Sequence, residues 1–309
     1  MGESFLGIEI GGTKLQIVVG DRSAKIVERH RFAVDRAQGA EGIRRQIEGT
    51  LTRLVPLVKP VATGVGFGGP VDWKQGRICK SHQIEGWSEF ELANWIKAMT
   101  GTAVVVDNDA NVAALGEAMC GAGVGFNPVF YVTLGSGVGG GLVAKGRIYH
   151  GATPGESEIG HVRLDRHGRI VESRCSGWAV DARIRDLRQQ HPQSQLAKLT
   201  EGMAGGEAKH LGEALRQGDL IASKLLGEVA EDLAFGLSHM VQLMHPEVIV
   251  IGGGLSQVGE PLRAAVEAAL KNFIMEAFLP GPKIRLAGLG EDAVPMGALQ
   301  LAKTILKSP

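Results

Sequence analysis

Three consecutive polar residues, Asp107, Asn108 and Asp109, close a run of three valines and open an alanine-rich segment that reaches Met119. The valines read as a short buried strand and the alanine-rich segment as a helix. A carboxylate at such a junction is held by rigid elements, has its charge favoured by the helix dipole, and faces whatever cleft the sheet edge opens. It is well placed for chemistry. Taken alone, Asp109 reads first as a helix cap, a position that favours aspartate.

Two glycine turns offer a complementary chemistry. Gly11, Gly12, Thr13 and Lys14 join the apolar runs 5–10 and 15–19, and Gly135, Ser136 and Gly137 follow the apolar run 129–134. Each is a hairpin signal, and each also collects donors able to cradle phosphate oxygens: backbone N–H groups, hydroxyls and, in the first, a lysine. Neither is a P-loop, because Gly-x-x-x-x-Gly-Lys-Ser/Thr is absent. The letters Gly-x-Gly-x-x-Gly occur at 64–69 and 135–140, but each leads into turn and strand rather than helix, so a dinucleotide oxidoreductase is rejected on context. Gly252, Gly253 and Gly254 follow a third apolar run, where a flat ring could lie against backbone.

A polar group comprising Glu156, Glu158, His161, Glu172 and Cys175 comes between these glycine stretches. Glu158 and His161, three apart, converge if their loop turns helically. Carboxylates and imidazole suit adjacent sugar hydroxyls, zinc is a second reading, and a solvated loop is the third. Arginines from 163 to 188 alternate with Asp165, Glu172, Asp181 and Asp186, which reads as a paired, solvated surface.

The elements that must position these residues fit an α/β chain. A helical period runs from 42 to 58, shorter ones over 90–99 and 261–273, a long one ends at Met244, and a last one begins at Met296. With 309 residues the chain exceeds what one core usually serves, so two domains are expected, dividing near 121–127: residues 1–121, with the C-terminal helix 296–309 packing back on them, and 122–295. Two halves that each open strand, glycine hairpin, strand suggest a duplicated architecture. Hydrophobic residues at 44% and charged residues at 21% exclude wholesale disorder. Lysine plus arginine and aspartate plus glutamate both number 33, so no global field favours nucleic acid or an anionic membrane. Three scattered cysteines, Cys79, Cys120 and Cys175, argue for a reducing, cytoplasmic setting. No apolar run approaches the ~18 residues of a membrane span.

Together GIEIGGTK at 7–14, GVGFGGPVD at 64–72, DNDANVAALGE at 107–117, TLGSGVGGGLVAKGRIYHG at 133–151, EIGH at 158–161, ESRCSG at 172–177 and PEVIVIGGG at 246–254 resemble the ROK family of sugar kinases and sugar-responsive repressors. The resemblance implies a two-domain actin-like fold, of the ribonuclease H-like type shared by sugar kinases and heat-shock ATPases, with a central cleft for ATP and a hexose. It implies Asp109 as general base toward a sugar hydroxyl, usually the 6-hydroxyl, and Asn108, Glu158, His161, Glu172 and Gly68 as sugar contacts. Gly11, Gly12, Thr13, Lys14, Gly135, Ser136 and Gly137 resemble the phosphate loops, and Gly253 and Gly254 the adenosine contact. It also implies a homodimer.

Departures from the family pattern are specific. Glu9 stands where the family has aspartate, still able to hold magnesium through water; Gly68 replaces a proline; Ser157 replaces a glycine. The Cys-x-Cys-Gly-x-x-Gly-Cys zinc motif is replaced by VRLDRHGRIV at 162–171, so no zinc site is expected and arginine–aspartate pairs must hold that loop. Only five residues precede Leu6, which disfavours the repressors' DNA-binding helices. The expectation is an ATP-dependent, magnesium-requiring, glucokinase-like hexose kinase, with a sugar-binding sensor or scaffold of weak turnover as the alternative.

Overall fold

The structure is a computed structural model and describes residues 3–79, 84–155 and 157–306. The first half comprises β1 (Phe5–Ile10), β2 (Lys14–Gly20), β3 (Ile26–Ala33), α1 (Gly39–Val58), β4 (Ala62–Phe67), β5 (Val71–Asp72), β6 (Arg77–Ile78), α2 (Leu92–Thr100), β7 (Ala103–Asn108) and α3 (Asp109–Cys120). The second comprises β8 (Val129–Leu134), β9 (Val138–Ala144), β10 (Arg147–Ile148), α4 (Glu172–Cys175), α5 (Gly177–Gln190), α6 (Gln195–Leu199), α7 (Leu211–Arg216), α8 (Leu220–Met244), β11 (Val248–Gly252), α9 (Glu260–Leu270), β12 (Lys283–Leu286) and α10 (Ala293–Ile305).

Each half builds a five-stranded sheet of mixed direction, in the orders β3-β2-β1-β4-β7 and β10-β9-β8-β11-β12. In the first sheet β1 pairs antiparallel with β2 and parallel with β4, which pairs parallel with β7. In the second, β11 pairs parallel with both β8 and β12. The recurring order is the duplication that the paired glycine hairpins suggested. By contacts the chain divides into one unit of residues 1–124, 141–157 and 291–309 and another of 125–140 and 158–290. No helix among the described residues is long and apolar enough to cross a membrane.

In the first unit Ile43, Ile47, Leu51 and Leu54 recur every three or four residues on α1 and are buried with Leu6, Ile8, Ile10, Phe67 and Trp87. α1 starts three residues before the helical period did. Asp35 caps the single 3₁₀ turn Arg36–Gln38, its carboxylate accepting from the Ala37 N–H, and the helix continues from there. α10 likewise begins at Ala293 rather than 296, because Pro295 falls in the first helical turn, where its missing N–H has no role. β3 was not anticipated at all: it is an edge strand, IVERHRFA, whose charged, exposed residues hide the strand signal.

α10 docks so closely that side chains are excluded on both sides of the contact. A Cβ on Gly297 would fall 1.8 Å from the Val112 carbonyl oxygen, one on Gly116 2.2 Å from that of Ala293, and one on Gly64 of β4 2.0 Å from that of Ala298. No side-chain adjustment relieves a clash with backbone. Gly297→Ala is therefore expected to destabilise the protein by about 3 kcal/mol or more, read as a lower denaturant midpoint. Gly49→Ala, on a face of α1 with no atom within 4 Å, is expected to stabilise it by about 0.5 kcal/mol or slightly more.

Candidate active site

The first unit brings Gly68, Asn108 and Asp109 together at the end of the parallel strands. β7 pairs with β4 in the register Phe67↔Asn108, so Gly68 and Asp109 leave adjacent strand ends together. A Cβ on Gly68 would lie 3.3 Å from Asp109 Oδ2. The capping question raised by the sequence is settled by Asn108. Its Oδ1 accepts from the N–H of Ala110 at 2.8 Å and of Asn111 at 3.3 Å, while its Nδ2 donates to the Gly69 carbonyl at 3.2 Å. Asp109 is the first residue inside α3 and is left free of the capping duty.

Burial is the chief reason the Asp109 carboxyl is pushed up to about 7, with the negative charge of Glu9 adding to it and the helix-start N–H groups and Lys14 opposing it. Part of its surface nevertheless remains open. Glu9 is also raised, again first by burial and against the pull of Lys14. Its two oxygens are engaged: Oε1 with Lys14 Nζ at 3.0 Å and Oε2 with Gln16 Nε2 at 2.6 Å. Gln16 Oε1 accepts from Arg29 at 3.1 Å and Arg31 at 3.0 Å, so two arginines back the acid through an amide. The Gly11, Gly12 and Thr13 turn is closed by the Gly11 N–H donating to the Lys14 carbonyl at 3.0 Å. Lys14 thus carries its charge beside the turn while resting on Glu9.

Asp107, Trp73, His150 and Gln16 were not singled out as site residues from the sequence. Asp107 is buried and meets His150 Nε2 at 2.6 Å, and its other oxygen accepts from the Asn108 N–H and from Asn111 Nδ2. Trp73 stacks on the His150 ring, with centroids 4.0 Å apart. The available signals were the acid of the Asp-Asn-Asp triplet itself and the histidine in Tyr-His-Gly. A depression of about 650 Å³ lined by Glu3, Asp21, Arg22 and Leu57 contains none of the candidate residues.

In the second unit Gly135, Ser136 and Gly137 form a turn closed by the Gly135 N–H donating to the Gly137 carbonyl at 3.0 Å. The 3₁₀ turn Ile159–His161 is the helical turn the Glu158 and His161 spacing required, and it brings His161 Nδ1 to 3.3 Å from Glu158 Oε2 on an exposed face. Glu172 Oε2 accepts from the Val138 N–H at 2.8 Å. Gly253, at φ +83°, lies against the Leu134 backbone, where a Cβ would fall 2.5 Å from the carbonyl carbon; Gly254 faces open space. Glu156 lies outside the described residues.

Residues 162–171 contain no cysteine. They form a small hairpin, with Leu164 N–H donating to the Arg169 carbonyl at 2.8 Å and Val171 N–H to the Val162 carbonyl at 3.0 Å. Asp165 closes its tip, accepting from the His167 N–H at 2.7 Å and pairing with Arg169. Among the described residues no three histidine, cysteine or acidic side chains converge as metal ligands. Burial pushes the Cys175 thiol up to about 12, so it is no thiolate. The Arg/Asp run is not wholly solvated as expected. Asp181 is buried and accepts from the Gly206 and Ala208 N–H groups, and fully buried Glu207 holds Arg185 through both oxygens. Backbone amides and an arginine fork replace the water that a solvated surface would supply.

Two mixed five-stranded sheets in repeated order, with glycine turns opening each half, define the two-domain actin-like fold of the sugar kinases. The ROK family pattern matches residues 5–305, and the chain belongs to the ROK family. It is 30% identical to the glucokinase of Halalkalibacterium halodurans over 97% of this chain and 94% of that one. A ROK family glucokinase from Streptomyces griseus, solved with glucose and AMPPNP, superposes with a TM-score of 0.83 at 30% identity, covering 97% of this chain and 99% of that one. A ROK family transcriptional regulator homologous to the E. coli MLC protein shares the fold, with a TM-score of 0.87 at 21% identity, over 99% of this chain and 79% of that one.

A carboxyl raised from the ordinary aspartate value near 4 to about 7 opposes folding whenever it must ionise. The penalty is absent below about pH 4, where both states are protonated, grows as the unfolded chain ionises first, and is complete above about pH 7. Asp109→Asn is therefore expected to raise the Tm at pH 8 and to lose that advantage as pH falls toward 4, followed by thermal unfolding across that range.

Proposed function

We propose that this protein is an ATP-dependent hexose kinase, glucokinase-like, transferring the γ-phosphoryl group of magnesium-ATP most readily to the 6-hydroxyl of glucose. The observation that carries the reading is Asp109: a carboxyl at the helix start, relieved of capping by Asn108 and tuned to about 7. A base with its pKa near working pH combines a usable ionised fraction with a useful proton affinity. Asp109 accepts the proton of the attacking hydroxyl, while Asn108, Gly68, Glu158, His161 and Glu172 orient the sugar. Phosphoryl transfer asks little covalent help, so alignment and donors around the phosphates supply most of the catalysis. Gly11, Gly12, Thr13 and Lys14, with Gly135, Ser136 and Gly137, provide those donors, and Gly253 and Gly254 receive the adenosine.

Magnesium arrives with the nucleotide. It is usually bound through one or two carboxylates, waters and substrate phosphates, and Glu9 is the carboxylate suited to hold it through water. Lys14 Nζ covers Glu9 Oε1 at 3.0 Å, and that oxygen would be the one to hold magnesium through water were Lys14 to turn to the phosphates. We further propose that residues 1–121 and 122–295 act as the two domains, with the C-terminal helix joined to the first, and that the enzyme is a cytoplasmic homodimer working without zinc. The rebuilt hairpin at 162–171 favours one rival, a sugar sensor of the same fold with weak turnover. Retention of Asp109 and both glycine turns favours the enzyme, since a sensor has no use for a base.

ADP release from magnesium-ATP across a panel of hexoses tests the reading. Turnover on glucose is expected, reduced at least about 10³-fold in Asp109→Asn and indifferent to a zinc chelator. Absence of turnover on every sugar, with glucose still raising the Tm, would move the protein to the sensor class. The pH profile of kcat/KM, which reports the free enzyme, is expected to fall below about pH 7 as Asp109 takes up its proton.

A further inference from the structure

Val138, the residue that leads out of the second glycine turn, is gripped on both sides of its backbone by the segments assigned to the sugar. Its N–H donates to Glu172 Oε2 at 2.8 Å. Its carbonyl oxygen faces Gly160, the residue between Ile159 and His161, where a Cβ would intrude to 2.2 Å. The start of the same turn is held as well, by the Gly177 N–H donating to the Gly135 carbonyl at 2.7 Å, two residues beyond α4. Gly137 completes the fit: a Cβ there would fall 2.5 Å from Glu172 Oε2. Glu172 Oε1 makes no hydrogen bond among the described residues.

Resting on the kinase reading, we propose that Glu172 is a positioning residue for the phosphate turn as well as a sugar contact, so that one carboxylate couples the two ligands. Oε2 holds the Val138 N–H and thereby orients the amides of residues 135–137. Oε1 is the oxygen left for a sugar hydroxyl. A hydroxyl donating to Oε1 fixes the carboxylate in the plane that also suits Val138, and a phosphate seated on the turn fixes it from the other side. Coupling of this kind is reciprocal: each ligand tightens the other by the same factor. An N–H bonded to a charged acceptor supplies enough energy for an effect of about tenfold.

Calorimetric titration with magnesium-AMPPNP and, separately, with glucose tests this, each without the other ligand present. Glu172→Ala is expected to weaken AMPPNP about tenfold in the complete absence of sugar. Glu172→Gln keeps an oxygen for Val138, though an uncharged one, and is expected to weaken AMPPNP clearly less than the alanine variant while losing glucose affinity. Gly137→Ala, a change in the phosphate turn, is expected to weaken glucose in the absence of nucleotide by displacing the carboxylate. Unchanged AMPPNP binding in Glu172→Ala would overturn the proposal, as would equal losses in the glutamine and alanine variants. Should the alanine variant fail to fold, unchanged glucose affinity in Gly137→Ala would overturn it independently. Wild-type protein that binds no AMPPNP would instead bring down the kinase reading, and this inference with it.

Discussion

The close seating of α10 on α3 and β4 is the constraint on which the first unit depends. Gly64, Gly116 and Gly297 let main chain meet main chain, so α3 has little freedom to slide or roll. A helix so fixed presents its N-terminus at a fixed place, and that N-terminus carries Asn108 and Asp109. The geometry of a proposed catalytic carboxyl is thereby set by a contact made at the far end of the sequence. It also explains the glycines at 7 in β1 and 64 in β4: a side chain on either would press into α10.

Asp107, Glu9 and Asp109 are held in this unit by different means. Asp107 is given an imidazole, an amide and a backbone N–H. Glu9 is given a lysine and an amide, with two arginines behind the amide. Asp109 is given least, and its affinity for a proton rises accordingly. Stability is spent where reactivity is useful, which is the usual relation between a proposed active site and its scaffold.

Much of this was readable from the chain. The strands around the glycine turns, the Glu158 and His161 turn, and the duplicated order follow from short-range patterns that survive folding unchanged. The features that stayed hidden depend on pairs distant in sequence. Whether Asn108 or Asp109 caps α3 turns on which side chain bends back, and residue types alone do not distinguish them. Asp107 and His150 lie 43 residues apart. β3 escaped because an edge strand with arginines and glutamate suppresses the very alternation that marks a strand. Asp181 and Arg185 read as surface charges because their partners, a loop's amides and the buried Glu207, belong to other elements.

The hairpin at 162–171 is a loop held by its own backbone. Asp165 stays ionised to about pH 2, held there by the Arg169 bond and neighbouring N–H groups, so the clasp persists through any mild acidification. A thiolate-bound metal would tie the ordering of the segment to metal supply and expose it to oxidants. Here hydrogen bonds within the segment hold it, and it contains no sulfur for peroxide to attack. The nearby thiol of Cys175 is buried and protonated. The order of this segment rests on the hydrogen bonds of ten consecutive residues.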